Sequence, residues 1–241
     1  MERRADVAYV RRLAHDTLQR SPTQRETRSS VGMPLEAVAG HFVRLRETYE
    51  QWLEEELYYY LLLDRFRPRT DAIAELPERL RRGRADVRSA AAEILLSTGF
   101  SLRNPGNDTF VTVVFEQFLG IEVQRNVKLL EAAKTMYDGK LSRIFDERGD
   151  SQSDVVKIAL AQPGYLDLFV RRMEQRHLGE PLPDDEHTAA VTHLTEHSRD
   201  LRGLIRSWLV SSRYASADRR PRTKTDHQFI RSLFVDLLGR R

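Results

Sequence analysis

Residues 227–241 read HQFIRSLFVDLLGRR, and the spacing of their apolar side chains decides the fold class. Phe229, Ile230, Leu233, Phe234, Leu237 and Leu238 fall at i, i+1, i+4, i+5, i+8 and i+9, which is one broad stripe on a helix of 3.6 residues per turn. Gly239 follows, where a left-handed C-cap would close the helix. Sliding this stretch back along the chain finds it again. Residues 108–123, DTFVTVVFEQFLGIEV, repeat it with Phe110, Val111, Val114, Phe115, Phe118, Leu119 and Gly120. Residues 168–183, LFVRRMEQRHLGEPLP, repeat it with Phe169, Val170, Met173, Glu174, His177, Leu178 and Gly179. Gly120, Gly179 and Gly239 are 59 and 60 residues apart. A weaker copy, AYVRRLAHDTLQRSP at 8–22, carries Gln19 where the glycine should stand.

A second element recurs between these helices: AAAEILLSTGF ending at Phe100, VVKIALAQPGY at Tyr165 and LIRSWLVSSRY at Tyr214. Each is a short apolar helix, then small or turn-forming residues, then an aromatic expected to drop back onto the core. The fold class expected is therefore all-α, a degenerate array of roughly 60-residue helical units, with about ten helices and negligible strand. The units divide the chain at 1–100, 101–225 and 226–241, the last holding only the first helix of an incomplete fourth unit. Because that helix lacks the second helix that should cover it, Phe229, Ile230, Phe234 and Leu237 are expected to bind a partner or to continue a longer product. The three glycines are expected to be structural helix caps.

The first unit is oversized, and its surplus includes residues 35–66, LEAVAGHFVRLRETYEQWLEEELYYYLLLDRF. One long inserted helix is expected here, since no breaker other than Gly40 interrupts it. Leu35, Val38, Phe42, Leu45, Tyr49 and Trp52 step by three and four, a heptad seam. Beyond the seam, Tyr58, Tyr59 and Tyr60 belong to a stretch that is apolar all round, so they are candidates for partner binding.

The succession Phe229, Leu237, Leu238, Gly239 and Arg240, with Phe169, Leu178, Gly179, Pro181 and Tyr214, resembles the helical linker domain of phycobilisome linker polypeptides. It is equally similar to a bacterial domain of uncharacterised function, found in large surface and secreted proteins, that carries the same Leu-Leu-Gly-Arg helix. The resemblance covers about 100–214 and the last helix, and copy two departs from it with Ile121 in place of the arginine. It implies an all-helical architecture, no catalysis, and a role in holding other proteins in an assembly.

Chemistry-bearing motifs are few. His193, Glu196 and His197 fit the H-x-x-E-H pattern of inverted zinc peptidases, in which two histidines four apart grip a metal and the glutamate activates water. Such enzymes need a further acidic ligand on a distant downstream helix, and no glutamate follows Glu196. A zinc-dependent hydrolase is the alternative function, and a solvated helix face is the preferred reading of the motif. Neither Gly-x-Ser-x-Gly nor a Gly-x-x-x-x-Gly-Lys phosphate loop occurs. With 241 residues and no cysteine, disulfides and thiolate metal sites are excluded. The net charge of +3 is weakly basic, and the clusters Arg79, Arg81, Arg82, Arg84 and Arg219, Arg220, Arg222, Lys224 lack interleaved stacking aromatics. The expectation is protein partners, with no nucleic acid, no membrane span, no cofactor, no metal and no small-molecule substrate. No secretory leader stands at the start, and the compartment is left open.

Overall fold

The structure is a computed structural model describing residues 3–61 and 71–216, with side chains for 3–54 and 72–216. Capping side chains set most helix starts. Asp6 accepts the Tyr9 N–H at 2.7 Å and opens α1 (Val7–Leu18), and Thr23 with Glu26 forms a reciprocal capping box on α2 (Gln24–Ser30). α3 (Leu35–Phe42) follows Pro34, and α4 (Arg46–Leu61) and α5 (Asp71–Arg81) come next. Asp86 and Ser89 box α6 (Val87–Leu95), Ser97 caps α7 (Thr98–Arg103), and α8 (Gly106–Leu119) begins after Pro105. Asn126 caps α9 (Val127–Tyr137) and Ser151 caps α10 (Gln152–Ala161), which is followed by α11 (Pro163–His177). α12 (Asp184–Glu196) starts after Pro183 with three acids in its first turn, where the helix dipole favours negative charge. Asp200 caps α13 (Leu201–Val210), and Ser211 caps α14 (Ser212–Ala215).

The protein is thus mostly helical, with 72% helix in 14 helices and one two-stranded sheet among the described residues. Two compact units can be distinguished, and each is discontinuous in sequence. The first comprises residues 3–55, 77–84 and 171–216, the second 56–61, 71–76 and 85–170. In the first, α3 packs on α1 and α13, and α12 packs on α13. In the second, α8, α9 and α10 pack on one another and α10 also packs on α6.

The three aromatic-ended elements turn the chain by one local geometry. After α10 and α13 a single extended residue intervenes, Gln162 (φ −65°, ψ 145°) and Ser211 (φ −60°, ψ 155°), and after α6 the extended Ser97 (φ −71°, ψ 148°) follows Leu96, the cap of that helix. A new helix then starts, and its third residue is Phe100, Tyr165 or Tyr214, each buried. Tyr165 donates its hydroxyl to the Val87 carbonyl at 2.8 Å, and Tyr214 donates to Asp16 Oδ2 at 2.9 Å.

Residues 35–66 do not form the single long helix expected. The chain breaks after Phe42 into α3 and α4, and the reason is a set of side-chain bonds that no helix breaker announces. Thr48 donates its hydroxyl to the Phe42 carbonyl at 2.9 Å and Tyr49 donates to the Val43 carbonyl at 3.2 Å, adding to the turn bonds of the Arg44 and Leu45 N–H groups on the His41 and Phe42 carbonyls, so the bend's carbonyls need no α-helical partner. The seam residues Leu35, Val38, Phe42, Tyr49 and Trp52 are buried. With α3 packed on α1 and α13, its part of the seam is spent within the chain.

Strand is confined, among the described residues, to one short hairpin between α9 and α10, consistent with the all-α expectation. β1 (Ser142–Ile144) pairs antiparallel with β2 (Glu147–Gly149), with Ser142 opposite Gly149, Arg143 opposite Arg148 and Ile144 opposite Glu147. The two-residue turn holds Phe145 at φ 47° and Asp146 at φ 66°, the sense a twisted hairpin needs. Neither is glycine, so each costs roughly 1–2 kcal/mol. Stacking of the Phe145 ring on Phe115, with centroids 5.5 Å apart, offsets part of that. Gly149 is required by close approach, because a Cβ there would lie 2.5 Å from Asp154 Cβ and 3.0 Å from Met136 Sδ. The hairpin therefore lies flush against α9 and the start of α10.

Candidate functional site

The His193-x-x-Glu196-His197 motif sits where α12 ends. His197 is already beyond the helix at φ −124°, ψ 60°, and its N–H closes the last turn on the His193 carbonyl at 2.8 Å. The two imidazoles stack with centroids 5.2 Å apart and planes 28° from parallel. His193 Nε2 lies 3.2 Å from Asp200 Oδ2, an ion-pair distance without hydrogen-bond alignment. Asp200 has another task, since its Oδ1 accepts the Gly203 N–H at 3.0 Å and caps α13. Glu196 points into solvent. Among the described residues no three histidine or acidic side chains are gathered to hold one metal ion.

A tighter acid and histidine pair, missed as a pair by sequence reasoning, lies deeper in the same unit. Glu174 Oε1 and His187 Nδ1 are 2.6 Å apart, with side-chain exposures of 0% and 5%. The other carboxylate oxygen accepts the Leu182 N–H at 3.1 Å, while the Glu174 carbonyl accepts from Leu178 and Gly179. Every one of these bonds ties the α11–α12 connection down. The pair is enclosed, and its effect is to fix the loop that launches α12. Its sequence signal was the placement of Glu174 on a stripe otherwise apolar except for His177. His177, one turn on, is buried with its ring 6.5 Å from Trp208.

The cap residues are found as follows. Gly120 (φ 67°, ψ 21°) ends α8, with Gly120 N–H on the Glu116 carbonyl and Ile121 N–H on the Phe115 carbonyl. Gly179 (φ 78°) lies just past α11 and likewise donates back to it. Gln19, where a glycine was missing, adopts the same left-handed backbone at φ 50°, ψ 35°. Gly239 lies outside the described residues, as do Phe229, Ile230, Phe234 and Leu237. Tyr58, Tyr59 and Tyr60 fall in the last turns of α4, and their side chains lie outside the described set.

Two arginines of the basic cluster before α6 share one carboxylate within the chain. Glu78 binds both Arg81 and Arg82, and the Arg81 hydrogen bond first of all pulls its carboxyl down to about 2. The hairpin is different. Arg143 and Arg148, cross-strand neighbours, are both exposed and neither has an acid within ion-pair distance among the described residues. In the same unit three large apolar side chains stand out in solvent: Leu102 at 68%, Val127 at 63% and Leu141 at 71% exposure. None of the described helices is long and apolar enough to cross a membrane.

Comparison with protein-family models finds no match, and neither the curated proteins nor the solved structures give one.

Proposed function

We propose that this chain is a non-catalytic scaffold or linker, built from degenerate helical units of about 60 residues, that holds partner proteins in an assembly. The observation carrying this reading is the exposure of Leu102, Val127 and Leu141 on one unit, each left in water where burial would gain about 1.5–3 kcal/mol. The shared corner geometry at Ser97, Gln162 and Ser211 and the left-handed ends at Gln19, Gly120 and Gly179 support the repeat. The resemblance to phycobilisome-type linker domains points the same way. On this reading the acid and histidine groups serve the fold: one pair is enclosed, and the other histidines stack on each other.

The test is to isolate the tagged full-length chain from its source, determine the mass and stoichiometry of what it carries, and measure its zinc. Companion proteins at fixed stoichiometry with no bound zinc are expected. Stoichiometric zinc, together with a hydrolytic turnover that His193→Ala abolishes, would replace the scaffold with the hydrolase.

A further inference from the structure

We propose that the outward face of the β1–β2 hairpin, formed by Arg143 and Arg148 with Leu141 beside them, docks an acidic segment of a partner protein. This deepens the scaffold reading and rests on it. Arg143 and Arg148 are directly opposite, flanking the pair that closes a two-residue turn. In such a hairpin this is the non-hydrogen-bonded site, where cross-strand side chains come closest. Ile144, on the opposite face, is buried, so the two guanidinium groups share the solvent side. Like charges so placed weaken a hairpin unless something answers them.

Arg20, Arg46, Arg81, Arg82, Arg125, Arg206 and Arg213 each have a glutamate within 4 Å. Among the described residues Arg143 and Arg148 have none, although Asp146, Glu147 and Asp150 are near in sequence. Other exposed arginines, such as Arg11, Arg25, Arg44 and Arg103, also stand without an acid within 4 Å among the described residues; what sets Arg143 and Arg148 apart is that they face each other across a strand pair. The turn that presents the pair is itself strained at Phe145 and Asp146. An anion between the guanidinium groups would turn a repulsion into two charge-assisted hydrogen bonds.

Two observations select a protein as the source of that anion. Leu141 precedes Arg143 by two residues, on the same side, and is 71% exposed, which suits an apolar side chain neighbouring the acid. Nucleic acid would be expected to find a stacking aromatic, but the Phe145 ring is occupied by Phe115.

The probe is a fluorescently labelled peptide alternating glutamate and leucine, titrated into the full chain and followed by anisotropy. Binding is expected to weaken at least about tenfold in R143Q/R148Q and severalfold in Leu141→Ser, and the glutamine-for-glutamate peptide should bind as poorly as the double variant leaves the acidic one. The melting temperature of R143Q/R148Q should stay level or rise, because a repulsion is removed. Equal binding by the double variant, tighter binding of a single-stranded oligonucleotide than of the acidic peptide, or a drop of several degrees in melting temperature would each overturn the proposal. If the source assembly survives the R143Q/R148Q change, the hairpin assignment falls and the scaffold reading stands; if no assembly forms with the unaltered chain, the scaffold reading falls.

Discussion

Ser211–Tyr214 in the first unit and Ser97–Phe100 in the second turn the chain through the same extended residue, yet they are fastened by different chemistry. Tyr214 reaches Asp16 with its hydroxyl and meets Tyr9 edge-on at 5.9 Å, while Arg12 bonds the Tyr214 carbonyl at 2.7 Å and lies over its ring. Tyr9 in turn donates to the Leu209 carbonyl, and burial pushes its phenol pKa up. Phe100 has only rings: Phe110 edge-on at 5.4 Å, and beyond it Tyr137 at 5.1 Å from Phe110. The Tyr214 corner is thus held by a polar network and the Phe100 corner by apolar packing, while the second unit's other corner combines both, with Tyr165 bonding the Val87 carbonyl. The difference predicts how each will fail. Both tryptophans, Trp52 and Trp208, belong to the first unit, so their fluorescence reports that unit alone.

The largest effect should come from emptying the apolar corner. Phe100 is fully buried, and Phe100→Ala is expected to cost about 3–5 kcal/mol through lost burial and the cavity left beside Phe110. Hydrogen exchange should quicken in α6, α7 and α8 more than in α1 and α13. Equal quickening in both sets would mean that the two corners do not fail separately.

Tyr214→Phe asks how much of the other corner is polar. Ring packing is kept and only the hydroxyl is lost, so the cost is that of a buried hydrogen bond to a carboxylate, about 1.5–3 kcal/mol. The tryptophan transition in denaturant should move accordingly. If it does not move, ring packing holds both corners and the contrast disappears.

Acid should also act on the polar unit. Arg20, which binds Glu26 and Glu47 together, holds the Glu26 carboxyl at about 2, below its ordinary value of 4.5. A folded-state pKa lowered in this way adds stability that is complete above about pH 4.5 and is lost as pH falls towards 2. Glu26→Gln should flatten that limb of the tryptophan melting curve, at a cost below about 1 kcal/mol near neutrality. In the second unit Ser151 lowers the Asp154 pKa, so acid melts of amides around α10 provide the control.

How far the sequence reaches is visible at these same elements. Helices with a clear 3.6-residue stripe and a glycine at the end, such as α8 and α11, are legible because both signals are local. The aromatic corners are legible as a recurrence, although nothing local reveals that Tyr214 seeks Asp16, nearly 200 residues away. The bend after Phe42 was not legible: it is made by Thr48 and Tyr49 bonding back to carbonyls, and both residues also suit a helix. The hairpin escaped because its strands have three residues each and its turn is Phe-Asp rather than the usual glycine pair. Since Arg143 and Arg148 face each other only through that register, the candidate docking face could not be found before the hairpin was.

The smallest effect isolates the backbone from the side chains. α1 ends on Gln19 at φ 50° and α8 on Gly120 at φ 67°, the same left-handed turn with and without a Cβ. A non-glycine residue there costs roughly 1–2 kcal/mol, and glycine gives back part of this through its larger entropy when unfolded, roughly 0.5–1 kcal/mol. Gln19→Gly should therefore stabilise the first unit by about 0.5 kcal/mol, the difference between those two terms. Gly120→Ala should destabilise the second by a similar amount, and space does not interfere, since the nearest atom to an added Cβ is Leu168 Cδ2 at 4.0 Å. Denaturant midpoints for the two variants should shift in opposite directions. If Gln19→Gly instead lowers the midpoint, the Gln19 side chain contributes more than its backbone strain costs, and α1 is anchored at this end by side-chain contacts as it is at Tyr9 and Arg12.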